Sequence, residues 1–322
     1  MGGWVKSRNL HPSIRWNLEQ AGIIPGVVAN KAVVYRYATA APYLYWSARD
    51  GRVDQMYSTI ALGYAGMTSG RNDVLLLTPE GHTLGADELT WSNSHCHMIG
   101  MIPIAIGYQR ARIGHSGVCS PMLTVSGNGN LFANLRFMHG NGDASNLNLL
   151  TVTGAGNTFQ NCDFAGPINA TEGATAAYKT AIISGGSQNY FVGCTFGAVT
   201  AAMSAANCLL NFASTNGGNM FEDCHFYIQA NAVSPFFINV TDTFGGNEFV
   251  NCVFDNVRGQ ATSMTYGISW TPAGGGLDML FHNSIFKGVG DIIATGNVSR
   301  AVFTTYGETT TKIGIAQQTT VG

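Results

Sequence analysis

Charge is scarce in this chain. Asp, Glu, Lys and Arg make up 11% of its 322 residues, about half the usual share. That scarcity excludes an architecture of Lys/Glu-faced surface helices and leaves polarity to neutral side chains. The formal net charge is −2, so no basic field advertises nucleic acid or an anionic membrane as partner. No run of about 20 apolar residues is present, which excludes a membrane-spanning helix. The opening, MGGWVKSRNLHPSIRWNLEQAG, has no apolar stretch resembling a signal-peptide core. Lys6 also stands where a myristoylation signal needs Ser or Thr. Synthesis in a cytoplasm without a signal peptide is the expectation. The seven cysteines are an odd number, so a complete disulfide framework is excluded. Hydrophobic residues reach 45%, which at this low charge favours a packed state over disorder.

Glycine is abundant, at 41 residues, amid many Asn, Ser and Thr. That is the vocabulary of short strands and frequent turns. What little charge exists is unevenly placed. Lys6, Arg8, Arg15, Lys31 and Arg36 precede residue 37 against Glu19 alone, and the remainder is acidic. The segment therefore reads as a basic arm, and its asymmetry points to docking on an acidic partner.

The chain repeats itself. NTFQNCDF (157–164) returns as NYFVGCTF (189–196), NMFEDCHF (219–226) and NEFVNCVF (247–254). Aligned on their first aromatic, Phe132, Phe159, Phe191, Phe221, Phe249 and Phe281 are separated by 27, 32, 30, 28 and 32 residues. Steps of this size signal a solenoid, propeller or array. Their variation suits stacked coils with loops of unequal length rather than rigid blades. A second apolar segment precedes each motif: MLTV (122–125), NLLTVTG (148–154), TAIISGG (180–186), CLLNF (208–212), FFINV (236–240) and YGISW (266–270). Each is short, rich in β-branched residues and closed by Gly, Ser or Asn, as strands are. A weaker last unit runs from DIIATGN (291–297) to Phe303.

Within the motif, Cys162 and Phe164 share one face of a strand, whereas Phe159 is out of phase by one residue. A bend at Asn161 puts all three side chains inside, and Asn tolerates the left-handed backbone a sharp corner needs. Asn134, Gly193, Asp223, Asn251 and Asn283 occupy the equivalent positions. Two strands around a corner plus the upstream strand make three per coil.

The spacing and the N-x-F-x-N-C-x-F wording resemble the right-handed parallel β-helix proteins, whose pectate-lyase-like fold is shared by polysaccharide lyases and phage tailspikes. The resemblance covers roughly residues 55–305. It includes YSTIALGYAGMTSGRNDVLLLTPEGHTL (57–84), which is similar to the T-I-x-x-A capping helix and D-x-x-x-x-x-P-x-G first strand of such proteins. From the residues themselves, Ser58 or Thr59 would N-cap a short helix whose Ile60 and Tyr64 face one way. The fold expected is thus all-β: a parallel β-helix with three strands per coil and a short N-terminal capping helix. Its divisions are a docking arm over 1–54, the β-helix over 55–305 and an extended tail over 306–322 that caps the last coil or pairs with a neighbour.

The candidate chemistry is sparse. Cys162, Cys194, Cys224 and Cys252 form an inward column, one per rung. Parallel stacking offers no tetrahedral enclosure and disfavours disulfide geometry, and Ser284 replaces Cys in the last rung. The column therefore reads as packing, as do the two Phe columns. His95 and His97, in HCH, read as two imidazoles on one face of a strand, half a metal site. Some phage spikes are similar in holding a His-x-His pair on a threefold axis. Neutral surface or inter-subunit histidines are the plainer reading, and no cofactor is expected. For glycoside hydrolysis two carboxylates must flank a groove. Asp163, Glu222 and Asp223 are the best acidic cluster available, with no basic partner in view because Lys179, Arg258 and Lys287 fall in other loops.

The resemblance implies a bacteriophage virion structural protein, a capsid decoration or a head or tail spike, with no nucleic acid or membrane partner. Trp4, Lys6, Arg8, Arg15 and Trp16 of the arm would meet other virion proteins, with a homotrimer as the assembly and host glycan as a further contact. The alternative it implies is a polysaccharide lyase or glycoside hydrolase using Asp163, Glu222 and Asp223.

Overall fold

The computed structural model describes residues 32–35, 56–77, 81–85, 88–100, 111–242, 245–257, 264–271, 279–293, 301–309 and 312–316. The arm residues Trp4, Lys6, Arg8, Arg15 and Trp16 lie outside them.

Alternation of apolar and polar residues in short segments dictates strands, and the repeated corner dictates that they wind. The result is an all-β parallel solenoid with little helix. Three sheets run its length. The upstream sheet stacks Leu89–Trp91, Leu123–Val125, Asn148–Val152, Lys179–Ser184, Cys208–Ala213, Phe236–Val240 and Met264–Trp270, all in parallel. These are the six apolar segments read from the sequence, preceded by one more coil. The central sheet holds the first Phe of each motif and the downstream sheet the second, with Phe132, Phe159, Phe191, Phe221, Phe249 and Phe281 in one register. The strand Met279–Ile293 runs through all three sheets as one coil. The weak last unit continues the winding, since Ala301–Thr309 pairs parallel with that strand and places Phe303 beside Phe281. Lys312–Ala316 then turns back antiparallel on Ala301–Thr309, so part of the tail pairs within its own chain. At the other end, Ala32–Tyr35 pairs parallel with Asp73–Leu77, so the central sheet reaches into the segment read as an arm.

The corner adopts the expected backbone. Asn134, Asn161, Gly193, Asp223, Asn251 and Asn283 all have positive φ, between 49° and 61°. Both Phe columns are fully buried ladders. Successive rings stack at 4.5–5.0 Å in the first column from Phe132 to Phe281. In the second they stack at 4.2–5.6 Å from Phe137 to Phe286. Offset stacking of this kind adds to simple burial. Thr59 is the N-cap of the helix Ile60–Ala65, its hydroxyl accepting from the Leu62 N–H at 3.1 Å. Tyr64 of that helix packs on Trp91, ring centroids 4.5 Å apart, and Trp91 meets Phe132 edge-on at 5.4 Å. The helix thereby closes the first ladder. Asp73 of the resemblance's first strand is buried, taking the Thr68 N–H at 2.8 Å and an ion pair from Arg71.

The cysteines pack, and they also bond. Each thiol donates to a backbone carbonyl of the preceding coil: Cys162 to Phe132 (3.4 Å), Cys194 to Phe159 (3.2 Å), Cys224 to Phe191 (3.4 Å) and Cys252 to Phe221 (3.3 Å). Ser284 makes the same bond to Phe249, at 3.2 Å. That explains why Ser can end the column. A second column went unread. The leading Asn of each motif is buried, and its side-chain oxygen accepts the backbone N–H of the preceding one: Asn157 from Asn130 (3.0 Å), Asn189 from Asn157 (2.9 Å), Asn219 from Asn189 (3.0 Å) and Asn247 from Asn219 (3.0 Å). These amides satisfy buried backbone groups at the turn that leads from the upstream sheet into the central one.

Candidate functional site

With the inward positions committed to ladders, chemistry must lie on the outward faces. On the downstream sheet, Arg112, Arg136, Asp163, Thr195 and His225 form one outward column. Asp163 is paired after all. Its Oδ2 lies 3.2 Å from Arg136 Nε on the preceding rung, and both residues are buried, at 7% and 8% exposure. The sequence reading sought its basic partner in loops and missed it one coil away on the same sheet, where parallel register brings the two side chains together.

Two rungs further on, Glu222 projects from the strand Met220–Glu222 and its carboxylate accepts the Tyr190 hydroxyl proton from the preceding coil. Burial, then the hydrogen bond and charge of Glu222, push the Tyr190 phenol up to about 12. Asp223 follows at the corner, exposed, with φ at 52°. Glu222 therefore ends its strand and Asp223 is itself the corner residue. His225 opens the next strand, exposed, with its Nδ1 3.0 Å from the Tyr227 hydroxyl and the two rings stacked at 5.7 Å. Partial burial lowers its pKa, against the opposing charges of Asp223 and Asp255. Asp255 lies in register beside Tyr227, and Lys287 beside Asp255. Tyr190, Glu222, Asp223, His225, Tyr227 and Asp255 thus make a titratable, aromatic strip in a body otherwise nearly free of charge. Asp163 is not part of it. The sequence named Glu222 and Asp223; the outward parity of His225 and Tyr227 was the signal for the rest.

His95 and His97 do not share a strand face as expected. His95 has φ at 52° and precedes the strand Cys96–Gly100, so strand alternation does not govern it. Its exposed ring packs over Gly129, where a Cβ would come within 2.8 Å of it. His97 Nδ1 accepts the Leu131 N–H at 3.0 Å, which occupies one of its two ligand positions. Burial, and secondarily the neighbouring His95, hold the His97 pKa down to about 4. Among the described residues no group of three or more His, Cys, Asp or Glu could hold a metal.

The upstream sheet presents a different surface. Its outward positions form two columns in register, beginning Thr90 and Ser92, Thr124 and Ser126, Thr151 and Thr153. The first column is interrupted by the apolar Ile182 and resumes with Asn211 and Asn239, whose amides bond at 3.0 Å, and Ser269. Successive rungs stand about 4.8 Å apart and paired columns about 6.6 Å, from strand geometry. None of these side chains is charged. The face can make many weak, periodic hydrogen bonds and little else.

No family model and no curated protein matches the chain. Solved structures do. A pectin methylesterase variant in complex with a hexasaccharide is similar over 90% of this chain and 93% of its own, at 12% identity and TM-score 0.49. Pectate lyase Pel9A is similar over 86% of this chain and 79% of its own, at 14% identity and TM-score 0.48. A Geobacillus virus protein is similar over 78% of this chain and 57% of its own, at 9% identity and TM-score 0.37. The chain shares its β-helix fold with pectate lyases, pectin methylesterases and a phage protein.

Proposed function

We propose that the protein is a structural component of a bacteriophage virion, a capsid decoration or a head or tail spike. Its solenoid is the stiff body, residues 1–54 the docking arm, and a homotrimer the assembled form, built in the host cytoplasm. Host-surface glycan meets its uncharged outer face. The observation that carries this reading is the engagement of two of the three candidate acids by side chains of the preceding coil. Asp163 is held by Arg136 and Glu222 by Tyr190, while the exposed Asp223 stands at a corner of the backbone. Two carboxylates that hydrolyse a glycoside must face each other across roughly 5–9.5 Å of open groove. Glu222 and Asp223 are instead consecutive residues, the first engaged by Tyr190 and the second at the corner.

Deleting residues 1–30 tests it. The truncated protein should fold, giving the parent's circular dichroism, yet fail to enter particles; incorporation at the parent's level would end the docking-arm reading. A second reading, a lyase or hydrolase acting on polysaccharide, is favoured by the Tyr190–Glu222 contact beside an exposed His225. Incubation with a panel of bacterial polysaccharides separates the two. New reducing ends or lost viscosity, abolished by Glu222→Gln or Asp223→Asn, would replace the structural reading with the enzymatic one.

A further inference from the structure

An asparagine followed by glycine is the pairing in which a side-chain amide is most open to attack by the next backbone nitrogen. Glycine puts no Cβ in the way and lets the backbone bend toward the amide. The chain has three such pairs, Asn128-Gly129, Asn141-Gly142 and Asn216-Gly217. Two are locked into the rungs. Asn128 Oδ1 accepts the Ala155 N–H at 2.7 Å, and the Gly129 N–H donates to the Ala155 carbonyl at 3.0 Å. Asn216 is 4% exposed, with its Nδ2–H donating to the Ser214 carbonyl at 2.8 Å and its Oδ1 accepting the Asn247 Nδ2–H at 3.2 Å.

The third pair is built differently. It lies in the loop between the strands Leu135–Met138 and Asn148–Val152, where Asn141 and Gly142 are exposed. Asn141 Oδ1 accepts the Asp143 N–H at 3.2 Å, closing a ring that contains both the amide carbon Cγ and the Gly142 nitrogen. The same oxygen accepts a second hydrogen bond, from Asn146 Nδ2. Asn146 is 0% exposed and cannot turn away, because its own Oδ1 holds the Cys119 N–H at 2.9 Å. The Gly142 N–H points to the next coil, where the one-turn helix Ala170–Gly173 carries Glu172. It donates to Glu172 Oε1 at 2.9 Å, and Asn146 Nδ2–H reaches that oxygen at 3.3 Å. Glu172 is 0% exposed. A buried amide thus bridges an electrophile, Asn141 Cγ=Oδ1, and the carboxylate bonded to its nearest nucleophile. Gly142 itself has φ at 91°, which only glycine adopts freely.

We propose that Asn141 is a site of self-catalysed modification, converted to an aspartyl or isoaspartyl residue through attack by the Gly142 nitrogen. Glu172 is the general base, and the Asp143 N–H and Asn146 Nδ2–H are the oxyanion donors. As the Gly142 nitrogen bonds to Asn141 Cγ, its proton passes to Glu172 Oε1 and the carbonyl electron pair moves onto Oδ1. The two donors already on that oxygen stabilise the charge as it grows. The pair then returns, the Cγ–Nδ2 bond breaks, and the amine leaves as ammonia with the proton that Glu172 gives back. A cyclic imide remains, and water, which reaches the exposed loop, opens it. Addition at Cγ gives the aspartyl product, and addition at the Asn141 backbone carbonyl carbon gives the isoaspartyl linkage. Either product sets a new carboxylate close to Asp143 and Glu172, and the second lengthens the backbone by one methylene. The tie between this loop and the helix of the next coil should loosen as the protein ages.

Incubation of the full chain at neutral pH, with proteolytic digestion at intervals and peptide mapping by mass spectrometry, tests the site. The peptide containing Asn141 should take on the mass of an amide-to-acid change at least tenfold faster than those containing Asn128 or Asn216. It should also react at least tenfold faster than in the same chain unfolded in guanidinium, because only the fold assembles the base and both donors. That comparison needs no variant, and a native rate slower than the unfolded one would overturn the proposal, the loop then being protective. Glu172→Gln keeps an oxygen for the Gly142 N–H but removes the base. It should lower the native rate at least tenfold while circular dichroism matches the parent's; a rate equal to the parent's would leave Glu172 as a strut and refute its role. Asn141→Ser should abolish the change in this peptide. A change that persists would belong to Asn146 and overturn the assignment.

Discussion

Phe221→Ala probes the ladder where it is most enclosed. The ring is fully buried and stacks on Phe191 at 4.7 Å and on Phe249 at 4.8 Å, nearly parallel to each. Phe196, Phe212 and Phe226 approach its edges at 6.1–6.3 Å. Removing a buried Phe costs about 3–5 kcal/mol through lost transfer energy and the cavity left behind. Here the neighbouring rings are pinned by strands paired on both sides, so the cavity cannot collapse, and two stacking contacts go with it. The loss should therefore fall in the upper part of that range, a large share of the roughly 5–15 kcal/mol that holds a typical domain folded. In a solenoid each coil contacts only its neighbours, so the damage is confined to one interface and should uncouple the two halves. Urea unfolding, followed by far-ultraviolet circular dichroism and by tryptophan fluorescence, reads both effects. The midpoint should drop, and the two probes should cease to coincide. Phe137→Ala is the internal control, since that ring ends its ladder, stacked on Phe164 at 5.6 Å and flanked by Ile113 on the other side. It should cost less. If Phe221→Ala unfolds at the parent's midpoint, the ring does not face the core and the ladder argument fails.

The remaining predictions concern the polar interior. Cys224→Ser keeps a donor for the Phe191 carbonyl, as Ser284 does for Phe249, whereas Cys224→Val strands that carbonyl at a cost of about 1–3 kcal/mol; calorimetry ranking Val above Ser would contradict the bond. Ellman's reagent at pH 8 should find none of the seven thiols in the native protein and all of them in guanidinium, because all are buried and burial pushes Cys208 up to about 12 and Cys96 up to about 11. Asn189→Asp replaces a donor to the Asn219 and Gly154 oxygens with an acceptor, so it should lower Tm more than Asn189→Ala does; the reverse order would dissolve the amide ladder. His97 and His139 are held down to about 4 in the folded state, against about 6.5 unfolded. Between those values the unfolded chain binds more protons, so stability is full above about pH 6.5 and falls as pH drops toward 4. A His139→Gln variant should show a shallower fall of Tm over that window, and an unchanged slope would refute the assignment.

What could be read in advance follows from what the repeat repeats. Phe159, Cys162 and Phe164 recur because each must stack on its own kind, and identity between rungs is visible along the chain. Asn161 was legible for a second reason, because a one-residue phase slip needs a left-handed corner and few residues accept one. Asn157 repeats just as faithfully, yet its role was missed, because alternation assigns a side chain to a face without saying that a buried amide will cap backbone groups there. Asp163 shows the converse limit. Its partner Arg136 lies 27 residues earlier and one coil below, and only the register of the downstream sheet makes them neighbours. The histidine pair failed for a local reason, the positive φ at His95, which breaks the alternation assumed for HCH.

The same division says where this chain keeps its freedom to function. An inward position that changes leaves a ladder broken above and below, so its identity is dictated by two neighbours as well as by itself. An outward position answers to neither, and the downstream column accordingly passes from Arg136 to Asp163, Thr195, His225, Val253 and Ile285 without repeating. Such a column cannot be a lattice-matched surface, because beyond the Arg112–Arg136 pair no two rungs offer the same group. The upstream face comes nearer to one, since Thr90, Thr124 and Thr151 repeat the same group on three successive rungs before Ile182 interrupts them. A ligand bound by the downstream strip must therefore be read at a few defined groups, Glu222, His225 and Tyr227 foremost. A ligand on the upstream face would be extended and uncharged, and tolerant of sliding only within the Thr90–Thr124–Thr151 run. Substituting Thr124→Lys, which plants a charge in the middle of the hydroxyl array without touching the core, should abolish adsorption to a neutral glycan and leave Tm unchanged. Glu222→Gln should leave adsorption intact. Adsorption lost on Glu222→Gln but retained on Thr124→Lys would move the glycan contact from the upstream face to the strip.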